Sequence, residues 1–292
     1  MLQHNPIGIY DSGTGGLAVY REMRRALPGE RFVYLADSDY CPYGDLTEGQ
    51  IRDRARSAAR HLTSAHNCKM VVIACNTVDA VARGIVEDEC RSIAATTTTT
   101  TVTGMIAPTI IAAALTARMR VPDARRTKML VLSTIPTALR GDYVIGLATL
   151  LPGVEILTRP AARLAPLIEN NAPREQLREC LKTYLGSTAG VTEVILGCTH
   201  YSPLKPLVEE LIPGASIINS AEAGAMSAVL TLTGALSRAD AATLTPVDPS
   251  PAEDARRRDR FLVTGSVASF TRAAAQFCGG EELPSLPIGI TL

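Results

Sequence analysis

Two cysteines stand out for the residues around them. Cys75 closes the apolar run Met70 to Ala74 and is followed by Asn76-Thr77, while Cys198 closes Thr192 to Gly197 and is followed by Thr199-His200. A strand that stops at a thiol and gives way to a helix sets the sulfur beside the positive end of the helix dipole, which favours thiolate. A lone cysteine after an apolar strand is ordinarily an inert packed thiol, and that reading suits Cys41, Cys68, Cys90, Cys180 and Cys278. It weakens for Cys75 and Cys198, whose neighbours suit hydrogen bonding. Spacing adds to the case: 64 residues separate Asp11 from Cys75, and 64 separate Thr134 from Cys198, with Val72 to Thr77 locally similar to Val194 to His200. Two similar halves carrying thiols at equivalent points can address opposite faces of one carbon. One thiolate then removes a proton and the other thiol delivers one.

Two residues could assist. His200, two positions past Cys198, could polarise that thiol or relay its proton, the alternative being a satisfied histidine at a helix start. Asp11 could do the same beside Cys75. It opens Asp11-Ser12-Gly13-Thr14-Gly15-Gly16, a glycine loop of the sort whose backbone N–H groups converge on an anion at a helix start. The loop is neither a P-loop nor a good GxGxxG fingerprint. Its leading aspartate would repel phosphate, and suits a site that accepts an ammonium or orients or takes a proton.

These residues need strands to end at them. Val- and Ile-rich runs alternate with helical patterns: strands are expected at 7–10, 31–35, 70–74, 129–132, 155–158, 192–196 and 261–264. Helices are expected at 17–27, 47–65, 78–86, 143–150, 175–184, 204–211 and 268–277. Apolar strands bracketed by helices indicate parallel sheets covered on both faces. The expected fold is α/β, two pseudo-symmetric doubly wound domains with the active site between them, where the carboxyl ends of the strands gather. The run Thr96 to Thr101 favours an extended connection, and Ser237 to Arg260 suits a solvated loop.

Composition narrows the classes. The 292 residues carry 29 Lys+Arg and 29 Asp+Glu, a net charge of zero, which disfavours a general nucleic-acid binder or a polybasic membrane-surface protein. Hydrophobic residues at 46% and charged residues at 20% suit an ordered globular chain. The seven cysteines are odd in number, with no CxxC and no ligand cluster in sequence; reduced thiols in a cytoplasm fit better than disulfides or a structural zinc site. The start has no secretory pattern, and no stretch approaches ~18 apolar residues, so no membrane span is expected. None of the four lysines sits in a motif, which disfavours a pyridoxal-phosphate enzyme needing a Schiff base.

Four motifs in order, Asp11 to Leu17, Pro42-Tyr43-Gly44, Ala74-Cys75-Asn76-Thr77 and Gly197-Cys198-Thr199-His200-Tyr201, with the tail Phe261 to Gly265, resemble the cofactor-independent aspartate/glutamate racemases. The resemblance runs over nearly the whole chain. It implies interconversion of L- and D-glutamate without pyridoxal phosphate or metal, supplying D-glutamate for peptidoglycan. It implies Cys75 and Cys198 as the acid/base pair assisted by Asp11 and His200, with Asp11, Ser12, Tyr43, Gly44, Asn76, Thr77, Thr134, Thr137, Glu169, Thr199 and His200 around the substrate. It also implies one lobe of 1–104 plus 219–292, a second of 105–218, and a possible homodimer. The chain departs from the family pattern at Asp79, usually small or hydroxylic, at Arg140, usually serine, at Asn219, often aspartate, and at the threonine run. Aspartate or another small acid is the alternative substrate. A cysteine hydrolase would leave one motif thiol unexplained, and a non-catalytic relative keeping the pocket is a third reading.

Overall fold

The structure, a computed structural model, describes residues 5–94, 100–120, 127–234, 259–278 and 282–292. The first half supplies β1 (Ile7–Asp11), α1 (Leu17–Ala26), β2 (Phe32–Ala36), α2 (Glu48–Arg60), β3 (Met70–Ile73), α3 (Asn76–Ala94) and β4 (Thr101–Thr103). There follow α4 (Ile106–Arg120), β5 (Lys128–Ser133), α5 (Ile135–Arg140), α6 (Asp142–Leu150), β6 (Glu155–Pro160), α7 (Leu164–Glu169), α8 (Arg174–Leu185), β7 (Glu193–Gly197), α9 (Lys205–Leu211) and β8 (Ser216–Asn219). The chain closes with α10 (Ser220–Leu232), β9 (Arg260–Val263), α11 (Val267–Ala274) and β10 (Ile288–Gly289).

Two sheets form, ordered β10-β9-β2-β1-β3-β4 and β6-β5-β7-β8, and every pairing is parallel. Strands β1, β2, β3 and β7 are buried along their whole length. This is why they show apolar runs rather than alternation: helices cover both faces of a parallel sheet. The expected α/β architecture is therefore the one observed. One buried cluster runs from Ile7 and Val19 through Met105 to Leu130 and Leu196, joining the two sheets through a common core.

Local sequence explains several boundaries. Thr47 and Gln50 form a reciprocal capping box that starts α2, and Thr134 caps α5 by accepting from the Thr137 N–H. Helix α3 runs to Ala94 rather than stopping near Val86, because Val86 and Cys90 continue its buried face. The apolar stretch after Gly104 becomes α4. Of the threonine run, Thr101 opens β4 opposite Met70, as its extended preference suggested; residues 96–99 lie outside the described residues, as does 237–258 of the expected loop. Among the described residues no helix is long and apolar enough to cross a membrane.

The parallel order sends chemistry to one edge. Asp11 ends β1, Cys75 follows β3 by two residues, Thr134 follows β5 and Cys198 follows β7. Each therefore lies at the carboxyl end of its strand, the place where open α/β sheets bind ligands.

Candidate active site

Cys75 is the residue before α3, and its carbonyl accepts the Asp79 N–H at 2.9 Å. Its Sγ lies 3.5 Å from Ser12 Oγ, and the Val78 N–H also bonds to it. The helix start was expected to favour thiolate. Burial outweighs it: the thiol is pushed up to about 12 by desolvation, with the Asp11 charge adding to this, Ser12 and Val78 opposing it, and Cys198 raising it further. A thiol so placed is protonated at neutral pH, and becomes a strong base once its proton has left.

The glycine loop cradles the protein's own carboxylates. Gly13 and Gly16 N–H groups donate to Asp11 Oδ2 at 3.1 and 3.0 Å, and the Thr14 N–H and hydroxyl donate to Glu169 Oε1 at 2.9 and 2.8 Å. Asp11 Oδ1 is buried with no hydrogen-bond partner among the described residues. Burial raises the Asp11 pKa, opposed by the His200 charge and the two loop N–H bonds. Gly15 allows the loop to press on the second half of the site, since a Cβ there would stand 2.5 Å from His200 Nδ1.

That second half is a relay. Cys198 Sγ lies 3.9 Å from His200 Nδ1, and His200 Nε2 lies 2.6 Å from Glu169 Oε1, on the last residue of α7. The Phe277 ring packs edge-on against the imidazole. Burial opposes a charge on His200, but bonds to Cys198, Cys41 and Glu169 with the Glu169 charge hold its pKa well above the ordinary value. Burial would raise Glu169, yet His200 and Thr14 bring it to about 2. The sign of each shift fixes a window. The His200 share of stability is complete below 6.5 and fades as pH rises through its folded pKa; the Glu169 share is complete above 4.5 and fades as pH falls toward 2. Thermal melts should therefore separate Glu169→Gln from the parent most between those two values, with the gap narrowing on either side.

Residues expected around a substrate line the seam between the sheets. Thr77 Oγ1 meets Thr134 Oγ1 at 2.8 Å, and Thr134 Oγ1 meets Thr137 Oγ1 at 2.9 Å. Asn76 Nδ2 donates to Tyr143 OH at 2.9 Å and its Oδ1 accepts from Ser220 Oγ at 3.1 Å. Gly44 faces Thr134, the nearest atom to a Cβ built on it at 3.9 Å. Thr199 is buried beside His200, its carbonyl accepting from Ser202 Oγ. The Tyr43 hydroxyl points elsewhere, donating to Asp37 Oδ2 at 2.5 Å and meeting Tyr10 OH at 2.7 Å. What Tyr43 leaves to the seam is its backbone. Sequence reasoning missed Tyr143 and Ser220, which hold Asn76, and Cys41, 3.6 Å from Glu169 Oε1. No local pattern marks them, because each partner lies far away along the chain.

The departures also find physical roles. Asp79 Oδ2 accepts the Met105 and Ile106 N–H groups, both at 2.8 Å, and so caps α4, while Oδ1 takes Arg83. Asn219 caps α10 through the Ala221 N–H and binds Ser202. Arg140 ends α5 exposed to solvent. Replacing Asp79 by serine should lower stability by about 0.5–2 kcal/mol, the usual range for a lost cap, read as a fall in the urea midpoint.

Over residues 7–228 the chain matches the family described as Asp/Glu/Hydantoin racemase. The chain belongs to that family. A glutamate racemase of Shouchella clausii is 32% identical over 277 residues, 93% of this chain and 90% of that protein. The crystal structure of a glutamate racemase isoform of Bacillus anthracis, 28% identical, superposes with a TM-score of 0.75 over 99% of this chain and 98% of that one. The structure of Francisella tularensis glutamate racemase with D-glutamate, 23% identical, has the same fold at a TM-score of 0.77, with the same coverage. Within this racemase family the chain is an isomerase by descent. The buried thiols of Cys75 and Cys198 each follow a strand of a different sheet.

Proposed function

We propose that the chain interconverts L- and D-glutamate by two-base proton transfer, with Cys75 and Cys198 on opposite faces of the α-carbon. The observation that carries this reading is the pair of buried thiols, each following a central strand of its own sheet and close enough for the charge of Cys198 to act on Cys75. One cysteine as thiolate takes the α-proton, and the C–H electron pair stays on the α-carbon, delocalised into the carboxylate. The other thiol gives its proton to the opposite face and is left as thiolate, so each turnover inverts the configuration and exchanges the roles of the two sulfurs.

The supporting groups divide between the halves. Asp11 Oδ1, buried and unpartnered among the described residues, accepts from the substrate ammonium and steadies Cys75; His200, tied to Glu169, steadies Cys198. Ser12, Asn76, Thr77, Thr134, Thr137 and Thr199, with the backbone of Tyr43 and Gly44, hold the two carboxylates. In this reading 1–104 with 219–292 forms one lobe and 105–218 the other, and the D-glutamate made serves peptidoglycan synthesis in the cytoplasm.

The test is incubation of pure enzyme with each enantiomer in deuterated water, followed by circular dichroism and mass spectrometry. Loss of optical activity should accompany one solvent deuteron at Cα of the product, from either enantiomer. Turnover of aspartate without turnover of glutamate would reject the substrate, and turnover without deuterium at Cα would reject the chemistry.

A further inference from the structure

Cys41 has no part in the proton transfers above, yet it joins the histidine–glutamate pair. Cys41 Sγ, Glu169 Oε1 and a ring nitrogen of His200 all lie within 4.8 Å of one another, and among the described residues they are the one trio of His, Cys or acidic side chains so gathered. The three residues are scattered in sequence, so no ligand spacing announces them.

We propose that Cys41, Glu169 and His200 form a binding site for a zinc-class divalent cation, and that its occupation inhibits the enzyme. Sulfur, imidazole and one carboxylate oxygen are a donor set that selects zinc over magnesium or calcium, which prefer oxygen alone. Metal–donor lengths of roughly 2.0–2.3 Å in a tetrahedron place donors about 3.3–3.6 Å apart. The Cys41–Glu169 edge already has that length at 3.6 Å, and the His200–Glu169 edge, 2.6 Å as a hydrogen bond, opens when the cation replaces the proton between them. Space on the loop side comes from Gly13, where a Cβ would stand 2.5 Å from Glu169 Oε1 and 2.7 Å from Cys41 Sγ.

Charge favours the same occupant. A dication with one thiolate, one carboxylate and a neutral imidazole sums to zero, so a neutral assembly is buried rather than a net charge. The Cys41 thiol proton and the His200 Nε2 proton both pass to solvent, leaving the imidazole neutral with its proton on Nδ1. Cys41 is only half-buried while His200 is buried, which gives the ion an approach from the Cys41 side. Three protein ligands leave the fourth position for water. A cation held there takes His200 and Glu169 out of the relay to Cys198, and turnover falls without any contact to substrate.

The inhibition rests on the racemase reading; the binding does not. Zinc is therefore titrated directly against chelator-stripped protein in competition with a chromophoric chelator, in four forms: parent, Cys41→Ser, Cys75→Ser/Cys198→Ser, and the triple variant. The parent and the double variant should each bind one equivalent, and Cys41→Ser should bind at least roughly tenfold more weakly for want of the soft donor. Cobalt loaded into the double variant should give a thiolate charge-transfer band that the triple variant lacks. Undiminished zinc binding by Cys41→Ser, or its loss in the double variant, would overturn the proposal. Should Cys41→Ser fail to fold, the cobalt band of the double variant decides alone: absent, the site does not exist. A protein that binds zinc but turns over neither enantiomer would instead count against the racemase reading.

Discussion

Cys198→Ser and Cys75→Ser should each lose racemisation by about 10³-fold or more, since a positioned acid or base contributes about 10²–10⁴-fold and a serine hydroxyl is a far weaker acid than a thiol. The stronger expectation concerns what survives. With one thiol left, a proton can be removed from and returned to one face only. Residual deuterium exchange should then be confined to a single enantiomer, without inversion, and to the opposite enantiomer in the other variant. Mass spectrometry of separated enantiomers reads this directly. The two halves should also differ in pH response. Cys75, pushed up to about 12 by burial and the Asp11 charge against the Ser12 bond, has no imidazole bonded to it among the described residues; Cys198 faces an imidazole locked to a carboxylate. Neutralising Glu169 should therefore distort the profile of the step served by Cys198 more than that served by Cys75.

The largest effect on stability is expected far from both thiols, at Asp37. This carboxylate is fully buried and accepts Arg54 through Nε at 2.7 Å and Nη2 at 2.6 Å, the Thr264 hydroxyl at 2.8 Å and the Tyr43 phenol. Removing it leaves a guanidinium, a phenol and a hydroxyl without their acceptor. Asp37→Ala should cost about 3–5 kcal/mol, the range for breaking a buried ion pair by deleting one partner. The damage should reach activity too, because Tyr43 lies in the Pro42-Tyr43-Gly44 turn and Asp37 holds its hydroxyl. Chemical denaturation measures the loss. Removing the opposite partner should hurt no less: Arg54→Met strands the Asp37 charge, 0% accessible, whereas the guanidinium left by Asp37→Ala, 15% accessible, can turn to water at the rim. An Arg54→Met midpoint close to the parent's would show that the pair does not hold this region.

Much of this was legible in the chain and some was not, for physical reasons. Strands β1, β3, β5 and β7 announce themselves as apolar runs because parallel strands are buried on both faces. The residues that close or follow them, Asp11, Cys75, Thr134 and Cys198, therefore marked the site edge as well. Helix ends were harder. Val86 to Ala94 continues α3 on a face that tertiary packing fills, and local pattern gives no stop. Electrostatics misled at Cys75: the helix start points toward thiolate, but burial is a property of the fold and reverses the balance. The glycine loop likewise looks like a cradle for an incoming anion, whereas the N–H groups of Gly13, Thr14 and Gly16 are taken by Asp11 and Glu169. Partnerships such as Asn76 with Tyr143 and Ser220, or Cys41 with Glu169, join residues that only the crossing of two sheets makes neighbours.

The first turn of α3 has a mechanical meaning beyond its contacts. Asn76 reaches Tyr143 and Ser220, Thr77 reaches Thr134, and Asp79 reaches the start of α4. Three residues of one helical turn thus fasten one sheet's helix to elements across the seam. These bonds tie the stretch just after Cys75 to the far side of the seam. On the other flank, Thr14 ties Glu169, and through it His200 beside Cys198, to the first sheet's loop. Each thiol is thus braced from across the seam as well as by its own strand.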